Sequence, residues 1–567
     1  MQRSANHGDM ETRRRIDFSA PPWFGRIALW LLPLSFLLIA FFYPLSRILA
    51  LTFDTATLTS ENLLLALRVL LFTFYQATLS TLLTLLLGLP SAYLFARYDF
   101  RGKPLLRALT AVPFMLPTVV VAAGFSALLG PRGLVHNLLP LSSFPFVGTL
   151  WAILIAHIFY NTTIIIRVVG NALAGLDPKF EAAARSLGAD SFHVWWNVIL
   201  PILRPAILAA SLLVFLFDFT SFGVILLLGG SQFATLEVEI YLRVLKLPNL
   251  PLAALLSVIQ LVCTLMVSLL YTRVVTRSTV QTAPRSAESN IRKPKTLREK
   301  ILITSFVFLL TSFFILPLSA LPLRSLFRLE ADRGQRGAIQ YGFTTDYYTE
   351  LFVNRRDSVF YVPPIQATAN SLGYGAATVV LSLLLGFPAA LALAKPTRLE
   401  GILDPLVILP LGASAVMLGL GFIISFGVWL TSPLLVPFAH TLVALPFVIR
   451  TLQPAIASIP ERLRQAAASL GASPFEVWKN IDLPILRRAT LAAATFAFTI
   501  SLGEFGATLL LARPDYPTIP VAIERFLSQP GGLNYGQAMA MATLLMLLTL
   551  ASILLIEKLR LPSSGEF

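Results

Sequence analysis

Two carboxylates, Asp218 and Glu504, lie inside long apolar stretches, and each has a serine three residues away, Ser221 after Asp218 and Ser501 before Glu504. Three residues is close to one helical turn, so acid and hydroxyl share a face. An ionisable side chain in hydrocarbon is costly and marks a pathway by default. Two such faces suit the passage of a cation, so Asp218, Ser221, Ser501 and Glu504 are the expected path residues. The competing expectation is that the acids sit near helix ends, wetted or bonded to neighbours. His157 and His440 also fall in apolar stretches, where hydrogen bonding between helices is their expected use. No His, Asp or Glu cluster has metal or nucleophile spacing, so no catalytic residue, metal or cofactor is expected. No phosphate-binding Gly-x-x-x-x-Gly-Lys-Ser/Thr loop occurs, Gly102-Lys103 being followed by Pro104, so the chain is not expected to hydrolyse ATP.

The elements that must position these residues follow from composition. Of 567 residues 56% are hydrophobic and 13% charged, against about 25% charged in soluble domains, which makes this an integral membrane protein. A span takes about 20 apolar residues. Twelve are expected, near 27–50, 65–95, 105–130, 147–170, 202–229 and 251–272, then 301–322, 370–394, 402–430, 433–453, 487–511 and 536–557. With the N-terminus inside, 31 of the 44 Lys and Arg lie in the cytoplasmic segments or at the inner ends of the spans, which accounts for the net charge of +15 by topology and leaves no reason to expect a nucleic-acid partner. The stretch Arg273 to Lys300 carries eight of them and reads as an inner linker. The organisation is therefore a tail (1–26), a first half (27–274), a linker (275–299) and a second half (300–560). The single Cys263 lies in an apolar run and reads as packing.

The halves repeat. From Ala183 to Ala210 against Ala466 to Ala493, 19 of 28 positions are identical at a shift of 283, which also pairs His157 with His440 and Phe222-Gly223 with Phe505-Gly506. Nearer each start the shift is 297 or 298, pairing Gly124 with Gly421 and Gly88-Leu-Pro90 with Gly386-Phe-Pro388. Six spans per half give the repeats one orientation, hence a pseudo-twofold axis along the membrane normal with a pathway between them. Gly124, Gly421 and nearby prolines either loosen spans three and nine or allow close packing.

The repeated segment falls between spans four and five of each half, and its polar content must face water. Gly188 and Gly471 follow an Ala-rich helix, where a left-handed residue ends it. Ser473-Pro474-Phe475-Glu476 then reads as a helix start, with Asp190 at the matching cap. Phe192, Trp195 and Ile199, like Phe475, Trp478 and Ile481, give the second short helix an apolar stripe, and Leu200-Pro201 and Leu483-Pro484 redirect the chain into a span. Two such handles suit a partner with twofold symmetry.

These loops resemble the EAA loop of permeases of binding-protein-dependent ABC importers, whose coupling helices sit in clefts of the ATPase subunits. The chain apart from tail and linker resembles the fused, double-length permeases of ferric-iron and thiamine importers. The resemblance implies an all-α integral membrane protein of about 12 transmembrane helices in two tandem six-helix MetI-like permease halves, multi-pass in the cell membrane with both termini cytoplasmic. It implies two ABC ATPase subunits, an extracytoplasmic solute-binding protein and the lipid bilayer as partners. It assigns coupling to Glu181, Ala183, Gly188, Phe192, Trp195 and Pro201, and to Gln465, Ala466, Gly471, Phe475, Trp478 and Pro484. Where the family usually has Glu six residues before the Gly, this chain has Ala182 and Gln465, and the nearest acid is Glu181. Docking by shape and apolar contact is the expectation. The runs Phe219 to Gly230, Ala234 to Tyr241, Ala253 to Cys263 and Ala156 to Asn161 look closer to thiamine than to ferric permeases, so a small cationic solute is implied, thiamine ahead of ferric iron. The alternative is a gradient-driven secondary carrier of six-plus-six architecture, which gives no reason for twin loops. A membrane-embedded enzyme finds no support in the residues.

Overall fold

The computed structural model describes residues 26–54, 57–138, 146–277, 291–329, 341–354 and 362–559; most of the tail and linker 278–290 lie outside these. Among the described residues eleven helices are long and apolar enough to cross a membrane, and a bent pair, Arg398–Gly412 with Ala415–Trp429, makes the twelfth span. Strand is confined there to one two-residue pairing, Phe327–Arg328 with Gly342–Phe343.

Spans three, five, nine and eleven are broken, a feature that the ranges of apolar residues alone do not mark. Span three divides into Lys103–Met115 and Thr118–Leu129 at Leu116-Pro117. Span nine bends by 96° at Ala413-Ser414, and the Ser414 hydroxyl caps the next helix by accepting from Met417 N at 3.0 Å. Span five stops at Phe219 and resumes as a wide turn over Ile225–Gly229; span eleven stops at Gly503 and resumes over Gly506–Leu511. The breaks nest. A Cβ on Gly223 would clash with Thr118 Oγ1 at 2.5 Å, and one on the equivalent Gly506 would press on Ala415 Cβ at 3.1 Å, so the two bends touch closely at both glycines.

Spans one and seven cross over to the opposite half. Span one packs on the second segment of span nine, and span seven (Leu297–Leu326) on the second segment of span three. The crossings run through the paired glycines. A Cβ on Gly124 would meet the Pro317 carbonyl oxygen at 2.8 Å, and one on Gly421 the Pro44 Cβ at 2.9 Å. Close approach, not loosening, is therefore their use, as small residues allow between membrane helices. The result is one core drawn from both halves, including Val119, Val120, Phe159, Phe222, Phe505 and Met541.

Candidate functional site

Each repeated loop is a helix, a glycine turn and a second helix that runs into its span. In the first, Asp177 caps Pro178–Ser186 by accepting from Lys179 N at 3.0 Å. Gly188 follows at φ +88°, with Ala189 N donating to Ala184 O at 3.1 Å. The second loop repeats this with Glu461–Ser469, Gly471 at φ +86° and Ala472 N on Ala467 O at 3.1 Å. This is the bond pattern that closes a helix on a left-handed residue.

Asp190 then accepts from His193 N at 2.8 Å, while Ser473 and Glu476 form a reciprocal box, Ser473 N on Glu476 Oε2 at 2.7 Å and Glu476 N on Ser473 Oγ at 3.3 Å. These bonds hold both carboxyls below their usual range, chiefly the backbone amide of His193 for Asp190 and of Ser473 for Glu476. Leu200-Pro201 and Leu483-Pro484 do not redirect the chain. The second helices continue through one wide turn each, Trp195–Ile199 and Trp478–Asp482, and proline falls in the first turn after it, where its missing N–H costs little.

Of the expected coupling residues, Ala183, Gly188 and Phe192 are exposed in the first loop, and Gln465, Ala466, Gly471, Phe475 and Pro484 in the second; Glu181, Trp195, Pro201 and Trp478 are half-buried. Sequence reasoning missed the most protruding residues, Leu187 and its equivalent Leu470, each 89% exposed, and the equivalents Phe180 and Leu463. Both pairs are apolar at the 283 shift, a signal that was available. With Phe192 and Phe475 they give each loop the same outward apolar triad.

Glu181 turns inward and accepts from Arg97 at the end of span two. Its equivalent, Arg464, faces Asp482 at 2.9 Å, and the tie to span eight is made one helical turn earlier, by Lys395 to Glu461 at 3.0 Å. Arg97 and Lys395 correspond at the 298 shift, so the tie is repeated although its acid has moved. Tyr93 adds an edge-on contact to Trp195, ring centroids 5.4 Å apart.

The four expected path residues lie at the breaks of spans five and eleven, Asp218, Ser501 and Glu504 buried and Ser221 half-buried, and each acid is joined to the histidine of its half. Asp218 accepts from Asn161 Nδ2 at 2.7 Å and lies 3.3 Å from His157 Nδ1, while His157 Nε2 is 2.9 Å from Ser221 Oγ. His440 Nδ1 is 2.7 Å from Ser501 Oγ, and its Nε2 is 3.3 Å from Glu504 Oε2. Glu504 also accepts from Ala507 N at 2.9 Å and Thr508 N at 3.0 Å, which satisfies amides freed by the break. Beside these clusters the equivalent rings of Phe222 and Phe505 meet across the halves, centroids 5.4 Å apart, and Tyr241 lies 5.6 Å from Phe222.

The family model described as "Binding-protein-dependent transport system inner membrane component" matches the chain twice, over residues 84–280 and 382–560. The chain is 29% identical over 505 residues to the "Thiamine transport system permease protein ThiP" of Brucella suis biovar 1 (strain 1330), covering 87% of each chain. It is 26% identical over 501 residues to the protein of that name from Escherichia coli (strain K12), covering 87% of this chain and 89% of the relative. It is 24% identical over 512 residues to the "Probable ABC transporter permease protein y4fN" of Sinorhizobium fredii (strain NBRC 101917 / NGR234), covering 87% and 88%.

Proposed function

The chain belongs to the family of binding-protein-dependent transport system inner membrane components, and from that premise we propose that it supplies both transmembrane halves of an ATP-driven importer for a small cationic solute, thiamine ahead of ferric iron. Two ATPase subunits bind the two loops, a solute-binding protein delivers cargo on the opposite side, and both termini are cytoplasmic. The observation that carries this reading is the duplicated triad Phe180, Leu187, Phe192 and Leu463, Leu470, Phe475, held out at one spacing around two left-handed glycines. Exposed apolar patches of this kind mark interaction sites. The names of the thiamine-type relatives support the cargo.

The path follows the pseudo-twofold axis and is closed at Phe222 and Phe505. Rotation of the halves, driven through the loops, parts the two rings and straightens the bends behind them. Asp218 and Glu504 then face a passing cation, with Ser221 and Ser501 beside them.

The test is the double variant Leu187→Asp, Leu470→Asp in the full chain. It should lose copurification with the ATPase subunits and ATP-dependent uptake of labelled thiamine while keeping its thermal unfolding. Retained copurification, or uptake in liposomes without an ATPase, would overturn the proposal; the latter outcome belongs to a gradient-driven carrier.

A further inference from the structure

The end of span two in the first half is bonded on three sides. Arg97 holds Glu181 of the first loop helix, and Tyr93 meets Trp195 of the second. The third side is taken by Arg292, just after the linker segment that lies outside the described residues. Its amide donates to Arg97 O at 2.9 Å, and its carbonyl accepts from Asp99 N at 3.0 Å. Its guanidinium donates to the Tyr98 hydroxyl at 2.6 Å and to that of Tyr93 at 3.4 Å, and lies 4.8 Å from the Tyr98 ring centroid. Four residues later Thr296 caps span seven in a reciprocal box with Glu299. One short stretch thus joins the first span of the second half to the turn that carries both helices of the first loop.

The second half has no footing for such a contact. At the 298 shift Tyr93, Tyr98 and Asp99 correspond to Leu391, Pro396 and Thr397. Leucine and proline offer neither a ring face nor a hydroxyl to a guanidinium, and the Thr397 amide is already bonded to Glu400 at 2.7 Å. The loops share their outward residues and differ in what stands behind them.

We propose that Arg292 is a positioning residue for the first loop. The stretch from Arg292 to Thr296 is a strut that fixes the attitude of that loop and ties its movement to span seven, so the two loops respond unequally to one symmetric partner. This rests on reading the loops as coupling surfaces.

The first experiment needs only the purified full chain. Arg185 and Arg462 are exposed in the two loops and are trypsin sites. Arg292→Ala should speed cleavage after Arg185 by about two- to thirtyfold, the range one cation–π contact spans, and leave cleavage after Arg462 unchanged. Arg292→Lys, which keeps the charge but not the planar fork, should fall between. Equal acceleration at both sites, or none, overturns the strut. Should Arg292→Ala fail to fold, Tyr98→Phe, which removes only the hydroxyl bond, should give a smaller shift of the same sign, and no shift overturns it.

The second experiment uses the chain reconstituted with its ATPase and binding protein. Arg292→Ala should lower solute carried per ATP hydrolysed, and an unchanged ratio overturns the strut. A wild-type chain that does not engage the ATPase at all defeats the coupling reading instead, while the proteolysis result still judges the strut.

Discussion

Phe222 and Phe505, equivalent residues of the two halves, face each other with ring centroids 5.4 Å apart at a tilt of 31°. Each ring follows a break in its span, and a Cβ added to Gly223 would lie 3.2 Å from the Phe505 ring. Two equivalent aromatic side chains therefore face each other where the halves meet. An aromatic pair contributes about 0.5–1.5 kcal/mol beyond the area it buries. Phe222→Ala with Phe505→Ala should raise passive efflux of cargo from proteoliposomes roughly tenfold, since about 1.4 kcal/mol corresponds to one decade. Efflux at the wild-type rate would place the closure elsewhere.

The crossing glycines should not tolerate alanine equally. At Gly124 the added methyl meets a backbone carbonyl, Pro317 O at 2.8 Å, whereas at Gly421 it meets side-chain atoms, Pro44 Cβ at 2.9 Å and Ile48 Cδ1 at 3.3 Å. Overpacking costs about 1–3 kcal/mol, and backbone yields less readily than a side chain. Thermal unfolding of Gly124→Ala should fall below that of Gly421→Ala, and the reverse order would contradict the crossing geometry.

Gly188 and Gly471 have open space around them and positive φ, so substitution there acts through the backbone alone. Alanine should cost about 1–2 kcal/mol locally and should impair ATP-driven uptake nearly as much as a bulky residue. Gly401 also has open space but ordinary helical geometry, so Gly401→Ala should be neutral or stabilising by about 0.5–1 kcal/mol. Uptake assays on the three alanine variants, with unfolding as control, test the contrast.

The two ties between loop and span differ in exposure. Arg97 and Glu181 are 9% and 25% exposed at the side chain, Lys395 and Glu461 47% and 36%. Removing Glu181 strands a nearly buried guanidinium and should cost about 1–3 kcal/mol. Glu461→Gln breaks a surface pair and should cost about 0–1 kcal/mol, the more so because Arg464 keeps Asp482 at 2.9 Å. Equal destabilisation of Glu181→Gln and Glu461→Gln in thermal melts would refute the difference.

The cap at Ser473 makes the second loop sensitive to acid. Glu476 has its carboxyl lowered from the ordinary 4.5 by the Ser473 amide and hydroxyl. A carboxyl depressed on folding contributes stability above its unfolded pKa, and that contribution is lost as pH falls through the folded value. Cleavage after Lys479 by an acid-tolerant protease should therefore accelerate as the pH falls below the ordinary 4.5 of a glutamate, relative to an unstructured peptide of the same sequence. Glu476→Gln should abolish the acceleration, and its persistence in that variant would assign it to another group.

Much was legible in the residues because the membrane leaves few solutions. Long apolar runs must be helices, since hydrocarbon offers no partner for free amides, and a polar segment repeated at a shift of 283 must be two copies of one solvent-facing element. The twelve spans, the duplication, the glycine turns and the Ser473 cap all followed from composition and spacing. The loops carried the resemblance to the family, and the family model matches the chain well beyond them, over residues 84–280 and 382–560.

The breaks did not follow, because a run of apolar residues reads the same whether its helix is straight or bent. Glu504 shows why: its carboxylate binds Ala507 N and Thr508 N, amides that a continuous helix would have satisfied by itself. Nor could spacing tell whether Gly124 loosens span three or admits Pro317 from another span. Which ring meets which across the axis, which acid clasps Arg97, and where Arg292 comes to rest depend on contacts between residues tens to hundreds apart. The chain alone determined the elements and their duplication; packing of one half against the other decided the bends, the crossing and the inequality of the loops.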